Sequence, residues 1–315
     1  MKSGKLAIIT AMVLLSVSCN RKQEKKVPED TPSSGSIRIA ADESFRPLVE
    51  EEVKTFMALY PEATILVDFL PESEVSRKLL DDSSRLVILP RKMNESETSY
   101  FEEKKIPVQQ IRMGTDALAF ISNPENPDST LTYQQVVDIL SGKILKWSEL
   151  DRNNPDDSII VVFDQRKSST LSFLQQQILK EVPVTPRAFA LDSVRAVKQY
   201  VEQQKRAIGV VDVSWISDRS AEGTQQFLNG IHVMAISHPD SSEQDVFYQP
   251  TRYNMLYGKY PFRRDLYLIL NEGRLGLGTG FANFVMNEQG QMIVHHFGLV
   301  AAKQPVRVIE LKNEF

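Results

Sequence analysis

Small hydroxyl residues stand where a strand gives way to a helix at several points in the 315-residue sequence. Ser168-Ser169-Thr170 follows the apolar run Ile159-Ile160-Val161-Val162-Phe163 and precedes an amphipathic stretch through Leu171, Leu174 and Ile178. Ser44-Phe45 and Pro71-Glu72-Ser73 open two further helices. The first turn of a helix leaves backbone N–H groups without intrahelical partners. Together with the helix dipole, these groups hold a tetrahedral oxyanion without any formal positive charge. Each serine taken alone is also explained as an ordinary N-cap. Their recurrence after strands in both halves of the chain favours a ligand, because ligands of open α/β sheets gather beyond the carboxyl ends of strands.

Other chemistries lack their residues. The sequence holds no G-x-S-x-G, Walker A or H-E-x-x-H motif and no set of cysteine ligands. His295-His296 sit late in an apolar helical stretch, and His232 and His238 flank a short strand without metal spacing. Asp151 to Asp157 lacks the glycine and distal glutamate of a calcium loop, which leaves a solvated turn. Gly276 to Gly280 matches no phosphate-loop spacing and reads as a loop entering a helix. Neither an enzyme nor a cofactor nor a metal is expected.

The elements that must position these turns are read from periodicity. Ser36–Ala41, Thr64–Phe69 and Arg85–Leu89 read as strands, with helices from Ser44 to Tyr60 and from Pro71 to Leu80 between them. That β-α-β-α-β order predicts a parallel sheet. Leu118–Ser122, Ser158–Phe163, Ile208–Val213 and Asp265–Leu270 are further strands. Tyr133–Leu140, Val194–Gln203 and Phe281–Val294 are further helices. Asp218 to Asn254 is the least periodic region.

At the N-terminus, Lys2 and Lys5 precede the apolar run Leu6–Leu15, and Ser16-Val17-Ser18 leads into Cys19, the only cysteine in the chain. The run is too short to span a bilayer, which needs roughly 20 residues, and reads as a secretory signal. Small residues before a lone cysteine resemble the lipobox of bacterial lipoproteins, which implies lipidation of Cys19; an ordinary cleaved signal is the alternative. Residues 1–18 are then a signal peptide, and 19–35, polar and rich in charge, a flexible tether. The net charge of −4 falls to −6 once Lys2 and Lys5 leave with the signal, which argues against a nucleic-acid partner.

Several segments resemble the phosphate-binding proteins of Pst-type ABC importers. Thr132–Trp147 (TYQQVVDILSGKILKW) is similar to that family's "L-T…I-L-x-G-K-I…W" helix-turn, and Ala207–Asp212 (AIGVVD) to its "AIGY" strand. Tyr260–Leu270 (YPFRRDLYLIL) resembles the strand returning to the first lobe, and Ser44-Phe45-Arg46-Pro47 the "T-F-x-P" turn. In order, these span about Ser36 to Val300. The resemblance implies a two-lobed α/β fold of the type II periplasmic-binding-protein class. Lobe one is 36–121 plus 260–315, lobe two is 122–259, and the ligand lies in the cleft between them.

The resemblance also implies binding roles for Ser44, Phe45, Ser73, Ser168, Ser169 and Thr170. Ser169 stands where the family has glycine, and Asp164 where it has an arginine, with Arg166 and Lys167 nearby. Arg91 occupies the place of the family's aspartate after the third strand, so a direct contact between Arg91 and a fully ionised anion is expected, a solvent-facing residue after the strand being the alternative. The function implied is a lipid-anchored, monomeric binding protein of the cell envelope that captures phosphate or a related oxyanion for an ABC permease. A sensor or scaffold using the same fold is the alternative; a hydrolase of phosphate compounds lacks a nucleophile and base.

Overall fold

The computed structural model describes residues 30–165, 168–180, 182–217, 222–240 and 246–303. The signal segment, Cys19, the tether up to residue 29, and Arg166 and Lys167 lie outside the described residues. Among the described residues no helix is long and apolar enough to cross a membrane.

Residues 30–35, which composition places in a flexible tether, are already packed against the body. Asp30 accepts the Leu277 N–H at 2.7 Å and pairs with Arg85 (3.1 Å) and Arg274 (2.5 Å). Its neighbour Pro32 lies against the run Gly276–Gly280, where a Cβ on Gly280 would come within 1.8 Å of the Pro32 carbonyl oxygen. That run is therefore not a loop but the start of a helix, Leu277–Val285, seated under the N-terminal segment.

β1 (Gly35–Asp42) pairs in parallel with β2 (Ala63–Leu70) and β3 (Leu86–Leu89), as the β-α-β-α-β order predicts. The helix Arg46–Leu59 begins with Pro47 in its first turn and turns Leu48, Val49, Val53 and Phe56 inward. β4 runs over Gln109–Ser122, far longer than its apolar end Leu118–Ser122, because Gln109, Gln110 and Arg112 break the apolar pattern. A helix at Glu95–Glu103 was not legible, since it buries little beyond Glu97 and Phe101; an Asn94/Glu97 capping box starts it.

Beyond β5 (Thr130–Leu131), the helix Tyr133–Ser141 ends at Gly142, whose φ of 78° suits glycine. β6 (Ile160–Asp164), β7 (Ala188–Leu191) and β8 (Ala207–Asp212) follow, then β9 (His232–Val233), β10 (Ala235–Ser237) and β11 (Phe247–Tyr248). β12 (Arg263–Leu270) and β13 (Val300–Ala301) complete the strands. The expected helix Phe281–Val294 is two, Leu277–Val285 and Glu288–His296, because Asn287 caps the second by accepting the Gly290 N–H.

The main sheet runs β2-β1-β3-β12-β4-β8-β6-β7. β4 and β12 cross it antiparallel, Leu270 opposite Gln109 at one end and Arg263 opposite Ala117 at the other. The first lobe packs around Ile39, Phe45, Phe56, Met113, Leu266 and Phe281, with a smaller cluster of Val75, Leu89, Phe101 and Ile269; the second lobe packs around Ala117, Phe120, Trp147, Val162, Val197 and Phe262. This is the two-lobed architecture the resemblance implies. Between the cores both crossing strands turn polar at the same register, at Thr115-Asp116 and Arg263-Arg264-Asp265.

Candidate functional site

Where the crossing strands turn polar, Arg264 of β12 faces Asp116 of β4 across the ladder, Nε to Oδ2 at 3.1 Å. Its other edge binds Asp212, the last residue of β8, and its Nη1 donates to Ser169 Oγ at 3.1 Å. The Arg264 side chain is 1% exposed, and those of Asp116 and Asp212 are 0%. Its guanidinium lies 5.0 Å from the centre of the Phe45 ring, so Phe45 serves as its apolar and cation–π support.

Three strands end here in aspartate: β1 at Asp42, β6 at Asp164 and β8 at Asp212. Asp42 Oδ1 accepts from the Ser44 N–H (3.0 Å) and from Ser169 Oγ (3.1 Å). Ser44 Oγ and Ser169 Oγ stand 3.4 Å apart. The first helix start of one lobe and the Ser-Ser-Thr turn of the other thus meet directly. Trp215 adds a second tie, its Nε1 donating to the Ser44 carbonyl at 3.2 Å.

Four carboxyl groups surround a single guanidinium, and none of the four is fully satisfied. Asp42 Oδ2, Asp116 Oδ1, Asp164 Oδ1 and Asp212 Oδ2 are buried with no hydrogen-bond partner among the described residues. Burial pushes the Asp42 carboxyl up to about 7, against the opposing attraction of Arg264. Burial likewise raises Asp116 and Asp164. Among the described residues no cluster of His, Cys, Asp or Glu is arranged to hold a metal ion.

Beside this seam lies a cleft of about 270 Å³, reached by Ser169 and Arg264 from the seam and by Glu72, Arg91 and Lys92 from lobe one. Arg91 does not present an open guanidinium to it. Its Nη1 and Nη2 donate to Glu97 (2.7 and 2.9 Å) and its Nε to Glu72, so two carboxylates already hold its charge. Arg91 nevertheless lines the cleft, and the expected contact with an anion would compete with both carboxylates.

Of the other expected residues, the structure brings together Ser44, Phe45 and Ser169. Ser168 and Thr170 are buried beside them. Ser44 is not an N-cap; it lies within the short 3₁₀ turn Glu43–Phe45, and Asp42 is the cap. Ser168 is the N-cap of its helix, accepting from the Leu171 N–H at 3.4 Å and donating to the Asp164 carbonyl at 2.9 Å. Ser73 is exposed and lines no part of the cleft; Glu72, one residue earlier, does. Missed altogether were Arg264 and the strand-end aspartates Asp42 and Asp212; Asp164 was singled out only as standing at an arginine of the family. A signal for the aspartates was present, since IAAD, VVFD and GVVD each end an apolar run in aspartate.

A family model described as a PBP superfamily domain matches residues 26–289. The phosphate-binding protein PstS of Pseudomonas aeruginosa is 24% identical over 292 residues, covering 88% of this chain and 85% of its own. A Clostridium perfringens structure with bound phosphate, described as a phosphate ABC transporter substrate-binding protein, superposes with a TM-score of 0.70 at 23% identity, covering 85% of this chain and all of the other. An ABC-type phosphate transport receptor from Vibrio cholerae superposes with a TM-score of 0.65 at 18% identity, covering 84% of this chain and 99% of the other.

Proposed function

The chain belongs to the PBP superfamily, and from that premise we propose that it is a solute-binding protein capturing phosphate, or a closely similar oxyanion, between its lobes for an ABC importer. The observation that carries this reading is the meeting of Ser44 and Ser169 across the seam at 3.4 Å, with the Arg264 guanidinium behind Ser169. Two hydroxyls and one cation from different parts of the chain converge there, which is a donor set for a tetrahedral anion.

Hydroxyl oxygens 3.4 Å apart hydrogen-bond each other and leave no room for an anion between them. Capture therefore requires the lobes to part about β4 and β12 and to close again with the ligand inside. On this reading Ser44 and Ser169 donate, Arg264 anchors Ser169 from behind, and Ser168 holds the turn that presents Ser169. Ser73 makes no contact. Charge balance is supported by burial, which raises the Asp42, Asp116 and Asp164 carboxyls toward their protonated forms. The reading includes no catalysis, a monomeric body, lipidation at Cys19 and a place in the cell envelope.

The test is calorimetric titration of the purified protein with phosphate, followed by sulfate as competitor. Saturable binding of one phosphate per chain is the expected result. No heat and no thermal stabilisation with either anion would sink the reading and leave a sensor or scaffold in its place.

A further inference from the structure

The cleft beside the seam is larger than a bare oxyanion needs. At a share of ~30 Å³ per water, about 270 Å³ has room for roughly nine waters, and it approaches the ~300 Å³ at which sites for organic ligands begin. Its lining is divided. Ser169 and Arg264 form one end, while Pro90, Phe173 and Tyr267 supply apolar wall. Gln176 and Gln177 reach the rim from the π-helical turn Leu174–Ile178, closed by the Leu179 N–H on the Leu174 carbonyl at 2.8 Å. Such turns recur at functional sites because they re-aim side chains within a helix.

The cations around this cleft fall into two kinds. Arg264 and Arg91 are each held by a pair of carboxylates. Lys92 and Arg263, which also line the cleft, have no carboxylate partner among the described residues. Lys92 Nζ sits 5.7 Å from the Tyr267 ring centre, and Arg263 Nη1 donates only to the Met255 carbonyl at 3.0 Å. Two exposed cations from different parts of the wall, next to an apolar surface, match a ligand with an organic body and a second anionic group.

We infer that the cleft takes a small phosphomonoester carrying a second anionic group, its phosphoryl end toward Ser169 and Arg264 and its other anionic group between Lys92 and Arg263. This rests on the oxyanion-binding reading of the adjoining seam, which shares Ser169 and Arg264 with the cleft, and extends it to a substrate class. The organic part lies over Phe173 and Tyr267, and Gln176 and Gln177 offer donors and acceptors to its hydroxyls.

The experiment compares inorganic phosphate, glycerol 3-phosphate and 3-phosphoglycerate by calorimetric titration of the full protein, wild type and Lys92→Gln/Arg263→Gln. The expected result is at least tenfold tighter binding of 3-phosphoglycerate than of phosphate. The double substitution should remove that advantage and leave phosphate affinity within twofold, with an unchanged melting temperature. Phosphate binding without any gain for 3-phosphoglycerate overturns the inference and leaves the oxyanion reading standing. An equal loss for both ligands in the variant overturns it too, because the two cations would then serve the anion end. Failure of all three compounds to bind removes the oxyanion reading itself.

Discussion

Two arginines flank the same cleft in opposite circumstances. Arg91 sits at the rim, 26% exposed, with Glu72 and Glu97 closing on it and Ser76 donating in turn to Glu97. Arg264 is buried in the seam with more carboxylates than its charge can balance, and four of their oxygens stay unpartnered among the described residues. A satisfied network of the first kind rigidifies the lobe that carries it. An under-satisfied one of the second kind holds a reserve of hydrogen-bonding capacity that a proton or a ligand can claim. The contrast separates a satisfied network from an under-satisfied one, and it is open to direct disruption.

The harshest way to break it is Arg264→Met, which strands Asp116 and Asp212 without a counter-charge. Removing one partner of a buried pair costs about 3–5 kcal/mol, and urea unfolding of the variant at neutral pH should show a loss of that order. A loss below ~1 kcal/mol would mean that the aspartates are already neutral without their arginine.

The two regions also predict opposite pH responses. The Asp42 carboxyl is raised from 3.8 to about 7 by burial, so between those values the folded state holds a proton that the unfolded chain releases. The stability this proton confers is fully present below 3.8 and is lost as pH rises through about 7. Each tenfold difference in proton affinity between the two states is worth ~1.4 kcal/mol, so the loss is on the order of a few kcal/mol. Glu52, buried and raised to about 9, extends the fall toward alkaline pH. Glu97 at the rim behaves conversely. Burial pushes it up, but hydrogen bonds from Arg91 and Ser76 hold it below 4.5, so its contribution is lost in acid. Melting curves from pH 4 to 9 should therefore decline toward alkali, and Asp42→Asn should flatten the decline between pH 5 and 8. An unchanged slope in that variant assigns the effect elsewhere.

Smaller effects sharpen the boundary between the regions. Arg91→Ala removes a half-buried brace and is expected to cost about 1 kcal/mol, with phosphate affinity within twofold of wild type by calorimetry. Ser73→Ala, on an exposed helical position, should stay within ~0.5 kcal/mol in thermal unfolding and leave affinity unchanged. A tenfold loss of affinity in either variant would return that residue to the binding set.

Much of the framework was legible because it is local. Val194–Gln203 emerges as read, and Tyr133–Leu140 ends one residue later, since apolar spacing and caps lie within a few residues of each other. Ser169 was legible for the same reason, as part of a strand-turn-helix signature. The seam was not, because its bonds join distant positions: Arg264 meets Asp116 and Asp212, and Asp42 meets Ser169. No periodicity links those residues, and the run Arg263-Arg264-Asp265 passes for the polar start of a strand. For Arg91 the position after β3 is visible in the sequence, while its partners, Glu72 on one helix and Glu97 on another, are not.

The measurement that tests the central claim most directly is calorimetric titration of phosphate into Ser169→Ala beside the wild type. Ser169 Oγ bridges Arg264 and Asp42 and touches Ser44, so its removal takes away one donor to the anion and loosens the two charged groups that flank it. The expected result is one phosphate bound per chain in the wild type and an affinity at least tenfold weaker in the variant, about 1.4 kcal/mol. Equal affinity in the two proteins, with the fold intact, would contradict the account and place the anion away from the seam.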